Sequence, residues 1–132
     1  DWSSDVCSSD LNLVQANLQG LPPVTIIAAQ EALETGPAAV AERVRAVLGG
    51  GPAYLSFDID ALDPAFAPGT GTPEVGGFAT WQVQAILRRL GGVRFAGMDV
   101  VEVAPAHDVA EITSLAAATI AWEYLALLGA HG

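Results

Sequence analysis

The sequence predicts an α/β protein with a mainly parallel sheet covered by helices, and three observations lead there. Short β-branched runs alternate with helix-period segments three times over. The crossovers between runs are long enough to carry a helix, as parallel pairing requires. Hydrophobic residues make up 52% of the 132-residue chain and charged residues only 15%, a composition that buries a core rather than staying disordered.

Residues 1–11 (DWSSDVCSSDL) stand apart. They repeat Ser-Ser-Asp without an apolar period and resemble a translated sequencing adapter, so they are expected to be non-native. Residues 12–23 have no assignable pattern. Residues 24–132 form the regular part.

Val24 to Ala29 (VTIIAA) reads as a buried strand. Thr35 and Gly36 precede Pro37, a favoured first helical residue. Val40, Val44, Val47 and Leu48 then mark one helical face, and Gly49-Gly50-Gly51 ends it. Ala53 to Ile59 (AYLSFDI) is the second strand. A Pro- and Gly-rich loop runs from Asp63 to Phe78. Thr80 is expected to cap a helix whose Val83, Ile86, Leu87 and Leu90 share one side. Arg94 to Val103 is the third strand, Ala104 to Asp108 a second loop, and about Ala110 to Leu128 an apolar helix. Both loops leave from the C-terminal ends of strands, where open parallel sheets place function, and are expected on one edge.

Composition excludes several classes. A net charge of −10 leaves nothing to neutralise a run of phosphates, which argues against nucleic acid. The most apolar stretch, Leu115 to Leu128, is shorter than the ~20 residues of a membrane span. Asp1, Asp5 and Asp10 replace the basic start of a signal peptide. A single cysteine, Cys7, allows no internal disulfide and no cysteine-based zinc site, so a reducing, cytoplasmic setting is expected.

The chemistry centres on Ser56-Phe57-Asp58-Ile59-Asp60. Strand periodicity puts Asp58 and Asp60 on one side, with Phe57 and Ile59 on the other. Two carboxylates so close repel unless a cation lies between them, and hard divalent ions such as Mn²⁺ suit an oxygen-rich setting. Both could instead cap the following loop through backbone N–H groups. Phosphatases of the haloacid-dehalogenase type and nucleotide-sugar transferases also use this Asp-x-Asp spacing. GTGTPE is not a phosphate loop, since no Lys follows it, and it lacks the third glycine of a dinucleotide fingerprint.

The stretch DIDALDPAFAPGTGTPEVGG, Asp58 to Gly77, closely resembles the signature of the ureohydrolase family, which includes arginase, agmatinase and guanidinobutyrase. The resemblance continues through GMDVVEVAPAHD, Gly97 to Asp108, and EITSLAAAT, Glu111 to Thr119. Ala104 stands where arginases usually have Asn, which brings the chain nearest to agmatinase.

This resemblance implies a three-layer α/β/α, arginase-like fold, of which the chain is a C-terminal part. It implies two Mn²⁺ per complete site, with Asp58 bridging both ions and Asp60 binding one. It also implies hydrolysis of a small cationic guanidino substrate to urea and an amine by a metal-activated water. Agmatine, giving putrescine, is the expected substrate, with guanidinobutyrate or another guanidino acid as the alternative. Glu102 matches the glutamate that pairs with the guanidinium, and Thr72 a threonine near the reacting group. His107 departs from the family's usual Tyr and is a weaker substrate-contact candidate.

Family members are commonly trimers or hexamers. Their upstream metal motifs, Gly-Gly-(Asp/Glu)-His and Asp-Ala-His-x-Asp, do not occur in this chain, so the polypeptide as written is expected to be inactive. A non-catalytic binding or assembly module of the same fold is the reading from another class. Asp63 is expected to fix a turn, Asp108 to cap a loop, Asp99 to bond backbone, and His131 to be solvated. Trp81, Trp122 and Tyr124 read as core or interface.

Overall fold

A computed structural model describes residues 24–129. The expectations for residues 1–23 and for His131 lie outside the described residues.

The order is α1 (Ala29–Leu48), β1 (Pro52–Asp58), a 3₁₀ turn (Ile59–Ala61), α2 (Thr80–Arg88), β2 (Arg94–Val101), a second 3₁₀ turn (Pro105–His107) and α3 (Ile112–Gly129). β1 and β2 pair in parallel, with Asp58 opposite Val101. The predicted parallel pairing is therefore present, with strand and helix alternating twice rather than three times.

The expected first strand is not formed. Residues 24–28 precede α1 without a strand assignment, and Ala29 already belongs to α1. β-branched residues favour extended backbone, but a strand also has to enter a ladder, and residues 24–28 pair with neither open edge of the two-stranded sheet.

α1 also starts earlier than Pro37 implies. Its backbone breaks at Gly36 (φ 81, ψ 170), so Gly36-Pro37 joins two helical pieces. Good helix formers in Ala29–Glu34 build the first piece. The left-handed turn at Gly36 stops it, and Pro37 opens the second.

Thr80 is the first residue of α2 rather than its cap. Ala79 takes the cap position, and the Gln82 side chain accepts its N–H at 2.8 Å.

The core joins Leu55, Phe57, Phe95, Met98 and Val100 of the strands to Ala41 of α1, Val83 and Leu87 of α2, and Ala116, Ile120 and Leu127 of α3. Ile59, Leu62 and Ile120 are fully enclosed, each contributing about 1.5–3 kcal/mol by burial. Alternation sends Tyr54, Ser56, Asp58 and Asp99 to the opposite sheet face. There Tyr54 is 62% exposed.

α3 spans 18 residues, close to the expected helix from about Ala110 to Leu128. Among the described residues it alone is long and apolar enough to cross a membrane by length and composition. Its buried side chains, Thr113, Ala116, Ile120, Glu123, Tyr124 and Leu127, fall on one stripe, the packing of a core helix. Tyr124 meets Phe95 edge to face at 5.5 Å. Arg88 and Gln84 of α2 both bond the buried Glu123 carboxylate. Arg88 comes first among the causes that hold this carboxyl below the usual range.

Candidate active-site edge

Register dictates what meets at the C-terminal edge of the sheet. Asp58 ends β1, and Glu102 leaves β2 one residue past Val101, the partner of Asp58. Parallel neighbours lie about 4.8 Å apart, so two predicted site residues share one edge.

β1 ends at Asp58, and the chain turns tightly through Ile59–Ala61 instead of continuing extended. Oδ1 of Asp58 accepts the N–H of Asp60 at 3.3 Å. The loop-capping alternative is therefore present for Asp58. Asp60 is different: its Oδ2 accepts the hydroxyl of Thr72 at 2.7 Å. Asp58 Oδ2 and Asp60 Oδ1 carry no hydrogen bond among the described residues. Two carboxylates with free oxygens suit a hard divalent ion in kind. They do not suit it in number, because no group of three His, Cys, Asp or Glu able to hold a metal exists among the described residues.

The long loop is folded back on itself. Phe78 N–H donates to Ala61 O (2.9 Å), and Asp63 N–H donates to Phe78 O (3.0 Å). Asp63 accepts the N–H groups of Ala65 (2.9 Å) and Gly76 (2.8 Å), which hold its carboxyl below the ordinary value. The expected turn-fixing role is present. Gly77 closes the loop because a Cβ there would lie 2.6 Å from Asp63 N.

A second strap crosses to β2. Thr70 pairs with Val103 in an isolated antiparallel bridge, and Ala104 N–H donates to Gly69 O at 2.8 Å. Gly69 N–H donates to the buried hydroxyl of Thr113 at 2.7 Å. The Asp108 carboxylate accepts the N–H groups of Thr113 and Ser114, each at 2.9 Å, and so caps α3. Burial works to raise this carboxyl, but those hydrogen bonds outweigh it and hold the group well below the usual range.

Glu102 has left-handed backbone, φ 63. Such a conformation costs a non-glycine residue on the order of 1–3 kcal/mol and persists only where its surroundings enforce it. The side chain is exposed and makes no hydrogen bond or ion pair among the described residues. His107, on the Pro105–His107 turn, is likewise exposed, and no such bond joins it to Asp58, Asp60, Thr72 or Glu102.

Asp99 corrects the expectation of backbone bonding. It accepts the hydroxyls of Ser56 (2.6 Å) and Tyr54 (3.1 Å) across the sheet face. Two threonines escaped the sequence reading. Thr113 looked like an ordinary helix residue, because only the fold brings it to Gly69. Thr70 is buried with a hydroxyl that finds no partner among the described residues. The Gly-Thr-Gly-Thr repeat was the available signal for Thr70.

The Arginase family model matches residues 17–126. The guanidinopropionase of Pseudomonas aeruginosa is 50% identical over 105 residues, covering 80% of this chain and 33% of that protein. The agmatinase of Neisseria meningitidis is 48% identical over 108 residues, covering 82% and 35%. Among solved structures, a hypothetical agmatinase from Burkholderia thailandensis superposes with TM-score 0.77 at 55% identity, covering 79% of this chain and 33% of that one. The proclavaminate amidino hydrolase of Streptomyces clavuligerus gives TM-score 0.77 at 44% identity, covering 79% and 36%. The chain thus spans about a quarter to a third of the length of the curated relatives it matches.

Proposed function

The chain belongs to the arginase family and carries part of its three-layer α/β/α fold, and on that premise we propose that it serves as the C-terminal part of a manganese ureohydrolase. The substrate we assign is agmatine, hydrolysed to putrescine and urea. One observation carries this reading: Asp58, the Asp60–Thr72 pair and Glu102 leave the same edge of the parallel strands.

Asp58 and Asp60 would hold Mn²⁺ through their free oxygens, with the remaining ligands supplied by upstream sequence. When bound, the metal supplies Lewis acidity and a water acidic enough to react at neutral pH. Thr72 fixes the Asp60 carboxylate by donating to Oδ2, leaving Oδ1 available. Glu102 pairs with the guanidinium, whose planar fork of donors matches a carboxylate. That pairing orients the group before hydrolysis. His107 is a weaker substrate contact. The complete protein is read as a cytoplasmic trimer or hexamer, neither membrane-bound nor nucleic-acid-bound.

Relatives named agmatinase support this substrate. The similarity to a guanidinopropionase supports a second reading, hydrolysis of a guanidino acid. A non-catalytic module of the same fold is the remaining reading. Recovery of the full-length coding sequence separates enzyme from module. The full-length protein should release urea from agmatine faster than from guanidinobutyrate or arginine. Asp58→Asn combined with Asp60→Asn should abolish both Mn²⁺ retention and turnover. Retention of both would overturn the assignment. The isolated chain with Mn²⁺ should release no measurable urea.

A further inference from the structure

We propose that Thr113, at the start of α3, is a positioning residue for Glu102, acting through the Gly69–Thr70 strap. The proposal rests on the reading of Glu102 as the guanidinium partner. Glu102 sits between two fixed points. Val101 on one side is paired with Asp58, and Val103 on the other is bridged to Thr70. Its left-handed backbone (φ 63) therefore depends on where the strap lies.

Thr113 sets that position. Its hydroxyl, fully buried, accepts the N–H of Gly69 at 2.7 Å, while Gly69 O accepts Ala104 N–H at 2.8 Å. Gly69 thus links the helix on one side to the segment after Glu102 on the other. Close packing also seats the strap against the residue that caps α3. A Cβ on Gly69 would lie 2.7 Å from Asp108 Cβ, and Asp108 itself is bonded to the N–H of Thr113. Removing the Thr113 acceptor leaves a buried N–H unpaired, and shifting the strap is the direct way for that group to find a partner.

The test is a double-mutant cycle in the full-length protein, reading kcat/KM for the guanidino substrate alongside thermal stability. Thr113→Val should lower kcat/KM about 10- to 100-fold, as loss of a supporting hydrogen bond does. Thr113→Ser, which keeps the acceptor, should restore it. Combined with Glu102→Gln, Thr113→Val should add little further loss. If Thr113→Val does not fold, Thr113→Cys, similar in size but a poor acceptor, takes its place in the cycle. Losses that simply add, or a lower melting temperature at parental kcat/KM, would reduce Thr113 to a structural residue and overturn the proposal. A harmless Glu102→Gln would instead remove the reading of Glu102 on which it rests.

Discussion

The hydroxyl of Thr72 donates to Oδ2 of Asp60 at 2.7 Å, joining two residues twelve positions apart across the long loop. Sequence resemblance put Thr72 near the reacting group. The geometry gives it a more specific task, holding a candidate metal-binding carboxylate in one rotamer. Thr72→Val in the full-length protein should therefore weaken Mn²⁺ binding by about 10- to 100-fold, the usual effect of removing an outer hydrogen bond. Thr72→Ser should keep it. Metal titration of the two variants decides between them, and equal affinities would assign the hydroxyl elsewhere.

The Asp108 cap makes stability pH-dependent in a defined direction. Its folded carboxyl titrates below the unfolded value of about 3.9, so the unfolded chain takes up the proton first. The cap's stabilisation is complete above roughly pH 5 and is lost as pH falls from there toward the depressed folded value. Asp108→Asn should lower the melting temperature at pH 7 and flatten its fall between pH 5 and 3. Melting curves across that range provide the check.

Three glycines make close approaches of different kinds, and their alanine variants should rank accordingly. At Gly77 the added Cβ meets backbone, with Asp63 N at 2.6 Å. At Gly69 it meets Asp108 Cβ and Cα at 2.7 and 2.8 Å. Both variants should lose about 1–3 kcal/mol or more. At Gly97 the Cβ would meet only the Tyr54 ring, at 2.8 Å, and that ring can swing into solvent. Gly97→Ala should cost less, and Tyr54→Ala should suppress most of its cost. Denaturant midpoints rank the three.

α3 offers a contrast within one helix. Ile120 is fully buried, whereas Leu115 is 68% exposed. Ile120→Ala should cost about 2–5 kcal/mol through lost contacts and a residual cavity. Leu115→Ala should stay within about 0.5 kcal/mol, as exposed sites do. Equal losses would mean that the outer stripe of α3 is covered in the assembled protein.

Much of this architecture is legible in order of residues alone, and the failures are specific. Period-two and period-3.6 patterning marks β1, β2 and α2 because each buries one face against the same core, while α3 is marked by its length and apolar composition instead. Val24 to Ala29 misleads because composition reports extended preference and says nothing of a partner strand. Gly36-Pro37 misleads because one dipeptide can open a helix or join two. The Asp58–Glu102 edge follows from strand order and parallel pairing. The strap through Gly69 and Thr113 does not, since no pairing rule links a loop glycine to a helix threonine and only folding brings them together.

Glu102 carries a consequence for how the protein can change over time. A left-handed backbone there favours Gly or Asn, and neither side chain can form a bidentate pair with a cationic fork. Replacement by either should relieve about 1 kcal/mol of strain and raise the melting temperature, and on the proposed role of Glu102 it should silence turnover in the full-length protein. On that role, selection for durability and selection for activity pull this position in opposite directions.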